Sequence, residues 1–408
     1  MEKLVPKLRF PGIEDIEYKN YSFEDIFLFS TGKNIKFNEA STKYETPCVR
    51  YGELYHMYNE VIYEVINKTN LDKSELIFSE GNEILLPSAG EDPLDIGSAS
   101  ALTVKNVAIG RTINILKPKD QDIYSPIYVS YYINKKLKKK IASLAKGVSI
   151  SNVYNSDLKT LKIKLPSLKE QQKIASFLTT VDERITLLEK QKQGLETYKK
   201  GVMQQLFSQQ LRFKDDKDID FPDWEEKKLG EVIKVVVGGT PSTTNIEFWN
   251  GNIGWIGSGE LKNNIIKKPT KYITELGLKK SSTYLMPKNT VVLAMTGATL
   301  GKIGILDFEC TGNQSVAGFL PSEEFDNFFL FYKLQSMTNQ ILSFAGGAAQ
   351  AGINKKNIES LEIDFPSLKE QQKIASFLSA IDARIEVVSK QIEQSKVFKK
   401  GLLQQLFV

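Results

Sequence analysis

The stretch Pro166–Leu178, PSLKEQQKIASFL, returns letter for letter at Pro366–Leu378, and the rest of the chain is arranged around these two copies. The likeness runs on downstream. Asp182, Arg184 and Ile185 match Asp382, Arg384 and Ile385, and Gln204-Gln205-Leu206-Phe207 matches Gln404-Gln405-Leu406-Phe407, all at an offset of 200. A constant offset means that no insertion has broken the register, so the chain is an internal duplication.

Each copy encodes a long helix. Pro166 fits only a helix start, and Ser167 followed by Glu170 predicts a capping box, in which the serine takes an orphan N–H and the glutamate reaches back. Ile174, Leu178, Val181, Ile185, Leu188, Leu195, Val202 and Leu206 then recur in steps of three and four, the pattern of a heptad seam. The second copy keeps the seam with Ile374, Leu378, Ile381, Ile385, Val388, Ile392, Leu402 and Leu406. Lys192 and Leu195 become Ile392 and Ser395, as though polar and apolar positions were traded between partners. Helices of roughly 35 to 40 residues would be about 50 to 60 Å long, and two in one chain bury their seams most simply against each other.

These helices divide the chain into a first variable segment, 1–160, a helical spacer, 161–207, a second variable segment, 208–360, and a second spacer, 361–408. The variable segments differ widely, with faint echoes: Leu8-Arg9-Phe10 against Leu211-Arg212-Phe213, and Pro118 against Pro321, both offset by 203. Just before each helix, Leu161 and Ile163 correspond to Leu361 and Ile363 in an alternating, strand-like run. One fold is therefore expected to carry two different surfaces.

With 408 residues, 41% of them hydrophobic and 25% charged, the chain has material for two or three ordinary globular domains. A net charge of +5 permits an anionic partner without requiring one. Cys48 and Cys310 stand alone, one in each half, which excludes a disulfide framework and points to a reducing compartment. There is no run of about 18 apolar residues and no apolar leader, so a cytoplasmic protein without membrane contact is expected.

In the first segment, strands are expected near Thr46–Tyr55, Ile84–Leu86, Val104–Ile109 and Thr112–Leu116, followed by a helix from Pro126 to Lys146. Ile133, Leu137, Ile141 and Leu144 share one face of that helix. Lys135, Lys136, Lys138, Lys139 and Lys140 share the other, and form either a solvated surface or a phosphate-binding one. The second segment alternates short strands with glycine-rich polar loops: Gly238–Ser242, Gly257–Gly259, Met295–Lys302, Gly312–Ser315 and Gly346–Gly352. This pattern predicts an α+β domain whose loops meet the ligand.

Catalytic patterns are scarce. His56 is the only histidine, which excludes most zinc and histidine-based nucleophile sites. Gly297–Lys302 is one residue short of a phosphate loop and continues with Ile303 where Ser or Thr is needed. Gly257 and Gly259 lack the third glycine of a dinucleotide fingerprint. Pro222, Asp223, Glu225 and Lys227 are too close together for a nuclease metal site and read as a linker. The chain looks like a binding protein, not an enzyme.

Two variable segments, each followed by a near-identical helix opening on PSLKEQQKIASFL, resemble the specificity subunit of type I restriction-modification systems. GGTPST at Gly238–Thr243, WIGSGEL at Trp255–Leu261, TGATLGK at Thr296–Lys302 and NQSV at Asn313–Val316 carry the same resemblance. It implies two α+β target recognition domains, joined by two long helices that form an antiparallel coiled coil with pseudo-two-fold internal repetition. Each domain would read one half of an asymmetric bipartite site in double-stranded DNA. Two modification (methyltransferase) subunits and restriction (helicase-nuclease) subunits would be the partners. The resemblance assigns S-adenosylmethionine, ATP and magnesium to those partners and none to this chain.

The residues expected to meet DNA are Thr240, Ser242, Ser258, Thr296, Thr299, Lys302, Gln314 and Gln350 in the second domain. In the first they are Arg50, Ser88, Arg111, Lys136 and Lys139, with Arg111 chosen because it aligns with Gln314 at the 203 offset. The repeated helix starts suggest a partner interface through Glu170, Gln171, Ile174, Phe177, Glu370, Gln371, Ile374 and Phe377. Trp249 and Trp255 read as core. A scaffold that binds proteins and not DNA is the rival from another class, and an enzyme holding a nucleotide in its glycine loops is a third reading.

Overall fold

The computed structural model describes residues 6–10, 18–120, 122–147, 149–345 and 352–407. The chain separates into two compact units, Met1–Leu188 with Gln391–Val408, and Glu189–Lys390. The long helices run unbroken over Leu168–Phe207 and Leu368–Leu406, 40 and 39 residues. No proline interrupts either run, and straight-chain residues dominate both.

In the first unit, Ile174, Leu178, Val181 and Ile185 share a core with Leu402, Leu406 and Phe407 from the end of the other helix. In the second, Ile374, Leu378 and Ile381 share a core with Val202 and Leu206. Within each unit the start of one long helix thus packs antiparallel against the end of the other. Val388 is buried as well, while Leu188, Leu195, Ile385 and Ile392 are half-buried. A lone helix pair has no third element to cover its seam there.

Each unit is built on a five-stranded sheet. In the first the strands are β1 (Phe27–Thr31), β2 (Val61–Ile62), β3 (Glu83–Pro87), β4 (Ser100–Leu102) and β5 (Ile113–Pro118). Their order across the sheet is β1-β5-β3-β4-β2. In the second they are β6 (Val235–Val237), β7 (Asn264–Ile266), β8 (Val291–Ala294), β9 (Ile303–Leu306) and β10 (Val316–Phe319), ordered β6-β10-β8-β9-β7. The two orders are the same, so the units share a topology although their sequences do not match. Their registers match as well: Ile113 pairs with Pro87 where Val316 pairs with Ala294.

A smaller sheet lies beside each. Thr46–Val49 runs parallel to Lys105–Ile109 in the first unit, as Trp249–Ile256 runs parallel to Cys310–Gly312 in the second. The expected Pro126–Lys146 helix is broken by a π-helical turn at Ile133–Leu137. The wider turn places Asn134, which accepts from Ala99 N–H (3.0 Å) and donates to Ala99 O (2.7 Å) at the end of β4.

The repeated helix starts are used within the chain, which corrects the expected capping box. Glu170 N–H does donate to Ser167 Oγ (3.4 Å), but the Glu170 carboxylate does not close a capping box. It takes two bonds from Arg9 (3.0 and 2.7 Å) and one from Tyr18 (3.2 Å). Glu370 does the same with Arg212 (3.1 and 2.9 Å) and Trp224 (3.1 Å). Gln171 accepts from Ser125 N–H and Gln371 from Asp326 N–H, both at 2.9 Å.

Glu170, Gln171, Ile174, Glu370, Gln371 and Ile374 are all buried. Phe177 meets Phe10 edge-on at 6.0 Å, as Phe377 meets Phe213 at 5.5 Å. These eight side chains therefore clamp each helix start to its own unit, six of them buried and Phe177 and Phe377 half-buried. The Leu-Arg-Phe echo has the same cause, since Arg9 and Phe10 do in one unit what Arg212 and Phe213 do in the other.

A second mirrored clamp lies one helical stretch further on. Lys399 bonds Asp182 (2.8 Å) and Glu60 (3.0 Å), its ammonium 5.3 Å from the Tyr131 ring centre, while Tyr131 donates to Asp182. Lys199 bonds Asp382 (2.7 Å), and Tyr332 donates to the same carboxylate (2.7 Å). Burial alone would lower the Lys399 pKa, but Glu60 and Asp182 outweigh it and hold the lysine above its ordinary value.

Candidate nucleic-acid interface

In the second unit four loops leave one end of the sheets: those after β6, after Trp249–Ile256 and after β8, and the one before β10. The antiparallel registers of β6 and β8 with β10 require this, because both strands end where β10 begins. Side chains then lace the loops together. Thr240 Oγ1 donates to Gln314 Oε1 (2.6 Å), Thr296 Oγ1 to Ser315 Oγ (2.6 Å), and Thr299 Oγ1 to Ser258 O (2.9 Å).

Loop one could not approach loop four with any side chain at Gly238, whose Cβ would lie 2.2 Å from Gly312 O. Two indoles prop it: Trp255 Nε1 donates to Gly239 O (3.1 Å) and Trp249 Nε1 to Ser242 O (3.0 Å). Lys271 caps both rings, 5.7 Å from each ring centre. The structure thus gathers Thr240, Ser242, Ser258, Thr296, Thr299 and Lys302 with Gln314. Thr240, Ser242, Lys302 and Gln314 are exposed there.

The first unit repeats this plan with different side chains. Gly32 crosses Gly110 as Gly238 crosses Gly312, its Cβ direction 2.0 Å from Gly110 O. Ser88 N–H donates to Thr112 O (2.8 Å) as Met295 N–H does to Ser315 O (2.8 Å), which puts Arg111 at the place of Gln314. Arg50 stands where Gly257 stands: Arg50 N–H reaches Glu53 (3.2 Å) as Gly257 N–H reaches Glu260 (2.9 Å). Arg50, Ser88 and Arg111 are therefore on the loop end of this unit.

Arg50 is restrained by Glu53 (2.6 Å) and Phe37 O (3.1 Å), whereas Arg111 is exposed. Both line a cavity of about 310 Å³ with Lys36, Phe37, Tyr51 and His56. Sequence reasoning missed Lys33 and Lys36, exposed in the first loop of this unit. The 203 offset fails there because β1 and β6 are already 206 residues apart, Gly32 standing where Gly238 stands; the signal available was the Gly32-Lys33 pair closing a strand.

Lys136 and Lys139 are exposed on the interrupted helix. Among the described residues no hydrogen bond joins them to Arg50 or Arg111. Gln350 lies outside the described residues.

The loop end has little reactive chemistry of its own. Cys48 and Cys310 are buried beneath it, and burial, reinforced by Glu53 at Cys48 and by Glu260 and Glu309 at Cys310, pushes each thiol up to about 12. What the loops offer is hydroxyls, amides and cations.

Two like-folded α+β units, each presenting four laced loops and clamped to a shared pair of helices, define a duplicated loop-presenting binding protein. Residues 15–197 and 222–395 match the family described as type I restriction modification DNA specificity domain, and the chain belongs to that family. A Methanocaldococcus jannaschii protein named as the specificity subunit of type I restriction enzyme MjaX is 32% identical over 306 residues, 72% of this chain and 70% of that one. The MjaVIII specificity subunit of the same organism is 31% identical, over 82% of this chain and 80% of its own. The fold is shared with the type I restriction-modification S subunit from M. genitalium (TM-score 0.67, 18% identity, 99% of each chain). No helix among the described residues is long and apolar enough to cross a membrane.

Proposed function

We propose that each unit reads one half of a bipartite site in double-stranded DNA and that the helices set the number of unread base pairs between the halves. The observation that carries this reading is the repetition of one loop scaffold with different side chains at equivalent places, Arg111 for Gln314 and Arg50 for Gly257. Arginine and glutamine are the bidentate readers of guanine and adenine, and a rigid scaffold is what such readers need. Different readers on the two units give an asymmetric site.

Two modification subunits dock on the helix starts, through the faces that the clamps leave outward. Lys169, Gln172 and Ser176 are exposed and return as the exposed Lys369, Gln372 and Ser376. The fold does not require identity at exposed positions, so one partner surface met twice supports this reading. In the second unit Lys369, Gln372 and Ser376 line a groove of about 930 Å³ beside Phe213, Phe221 and Pro222. Methyl transfer from S-adenosylmethionine, and cleavage driven by ATP with magnesium, fall to the modification and restriction subunits.

The test is a binding titration of the complex with modification subunits on duplex DNA carrying the methylated motif, at several salt concentrations. The expected result is specific binding whose affinity falls steeply with salt. Equal, weak binding to all duplexes would contradict the reading and favour a protein scaffold.

A further inference from the structure

Phe37 is 86% exposed and Ile246 is 80% exposed, the two most exposed large hydrophobic side chains among the described residues. A single exposed apolar residue needs no explanation. These two, however, hold the same structural position in units whose loops share no sequence. Each is the first residue of a 3-10 turn, Phe37–Glu39 and Ile246–Phe248, and each turn closes the loop that begins at the crossing glycine.

Both turns are held rigidly. Ahead of Phe37, Asn34 and Ile35 adopt positive φ of 50° and 54°, a costly conformation for a β-branched residue. It is fixed by burial of Ile35, by Arg111 N–H on Asn34 O (2.9 Å) and by Asn34 Nδ2 on Glu75 O (2.8 Å). Lys36 N–H closes the turn on Glu39 (2.6 Å). The Arg50 guanidinium sits 5.0 Å from the Phe37 ring centre. Behind Ile246, Glu247 N–H is held by Asn245 (3.1 Å), Thr274 Oγ1 donates to Glu247 O (2.7 Å) and Thr274 N–H to Phe248 O (3.0 Å).

Resting on the DNA-reading function proposed above, we propose that Phe37 and Ile246 are apolar wedges. Each enters the base stack of the duplex at a step in or beside the half-site its unit reads. Cations flank the Phe37 site, with Lys33, Lys36 and Arg111 exposed on the same loop end. That setting selects a polyanion over an apolar protein face. A rigid aromatic or aliphatic side chain beside phosphate-binding cations is the means by which proteins unstack and bend duplex DNA. The 3-10 turn presents the side chain without a mobile loop that would fold back over it.

The test uses the full chain with its modification subunits and duplexes carrying 2-aminopurine at each position across the two half-sites in turn. Wild type should brighten the probe at one step in each half-site. Phe37→Ala should abolish the rise at one half-site and Ile246→Ala at the other, each weakening binding about tenfold, with Phe37→Leu recovering part of the signal. Both positions are exposed, so the variants keep the fold, which circular dichroism and the melting temperature check. Specific binding by wild type with no brightening anywhere, or an unchanged rise in both alanine variants, overturns the wedges and leaves the reading function standing. Failure of wild type to bind the duplex specifically overturns both.

Discussion

Glu170 and Glu370 are fully buried anions, each neutralised by a bidentate arginine from a segment about 160 residues away in sequence. A buried charge pair is costly to break one-sidedly, so Glu370→Ala, which strands Arg212, should cost about 3 kcal/mol in the second unit, read as the shift in its urea unfolding midpoint. Lys399 makes a pH-dependent contribution. Its folded pKa lies above the ordinary 10.5, so its stabilisation is complete below that value and drains away as pH rises through the folded pKa. Wild type should therefore lose stability more steeply than Lys399→Met on alkaline titration, and parallel curves would contradict the pairing. At the loop end, Gln314→Ala should relax discrimination at one base pair by roughly 1–3 kcal/mol, seen as degeneracy at one position of the methylated motif.

Arg111 was legible in the sequence because loop four keeps its length, so a weak 203 offset found the true equivalent of Gln314. Lys33 and Lys36 were not, because the strands before loop one are 206 residues apart and not 203, a shift that no sequence identity marks. Glu170 and Gln171, expected at a partner interface, are buried within their own unit. Identity between two copies reports a shared environment, and sequence alone does not distinguish a partner from the chain's own fold.

Among the elements, the two helices were the most readable, since periodicity and the absence of proline specify a long amphipathic helix without reference to tertiary context. The π-turn at Ile133–Leu137 was not readable: its cause is the distant end of β4, which Asn134 serves. The boundary between the compact units falls after Leu188 in one helix and after Lys390 in the other. A heptad inserted at both points keeps the seam in register and adds about 10 Å, some three base pairs of B-DNA. The methylated motif of this variant should keep both half-sites and gain about three unread base pairs. A heptad in only one helix should shift half the seam against its partner and lower the melting temperature.

The whole molecule is a duplication in which the scaffold has been kept and the reading surface replaced. Strand order, the glycine crossing, the helix clamps and the tyrosine-aspartate-lysine clamp are the same in both units, while the loop side chains differ. Beyond a few echoes such as Leu8-Arg9-Phe10 with Leu211-Arg212-Phe213, only the helical part of that duplication is visible in the sequence, because a seam and its clamps constrain side chains directly. A sheet of the same topology needs only apolar residues of suitable size.

The central claim is that each unit reads its own half-site independently. Methylation sequencing of cells expressing the full complex tests it most directly, comparing wild type with a chain whose residues 18–165 are replaced by those of another member of the family. The predicted result is a split motif in which one half changes and the other half and the spacer stay the same. A motif that changes in both halves, or a single unbroken one, would contradict it.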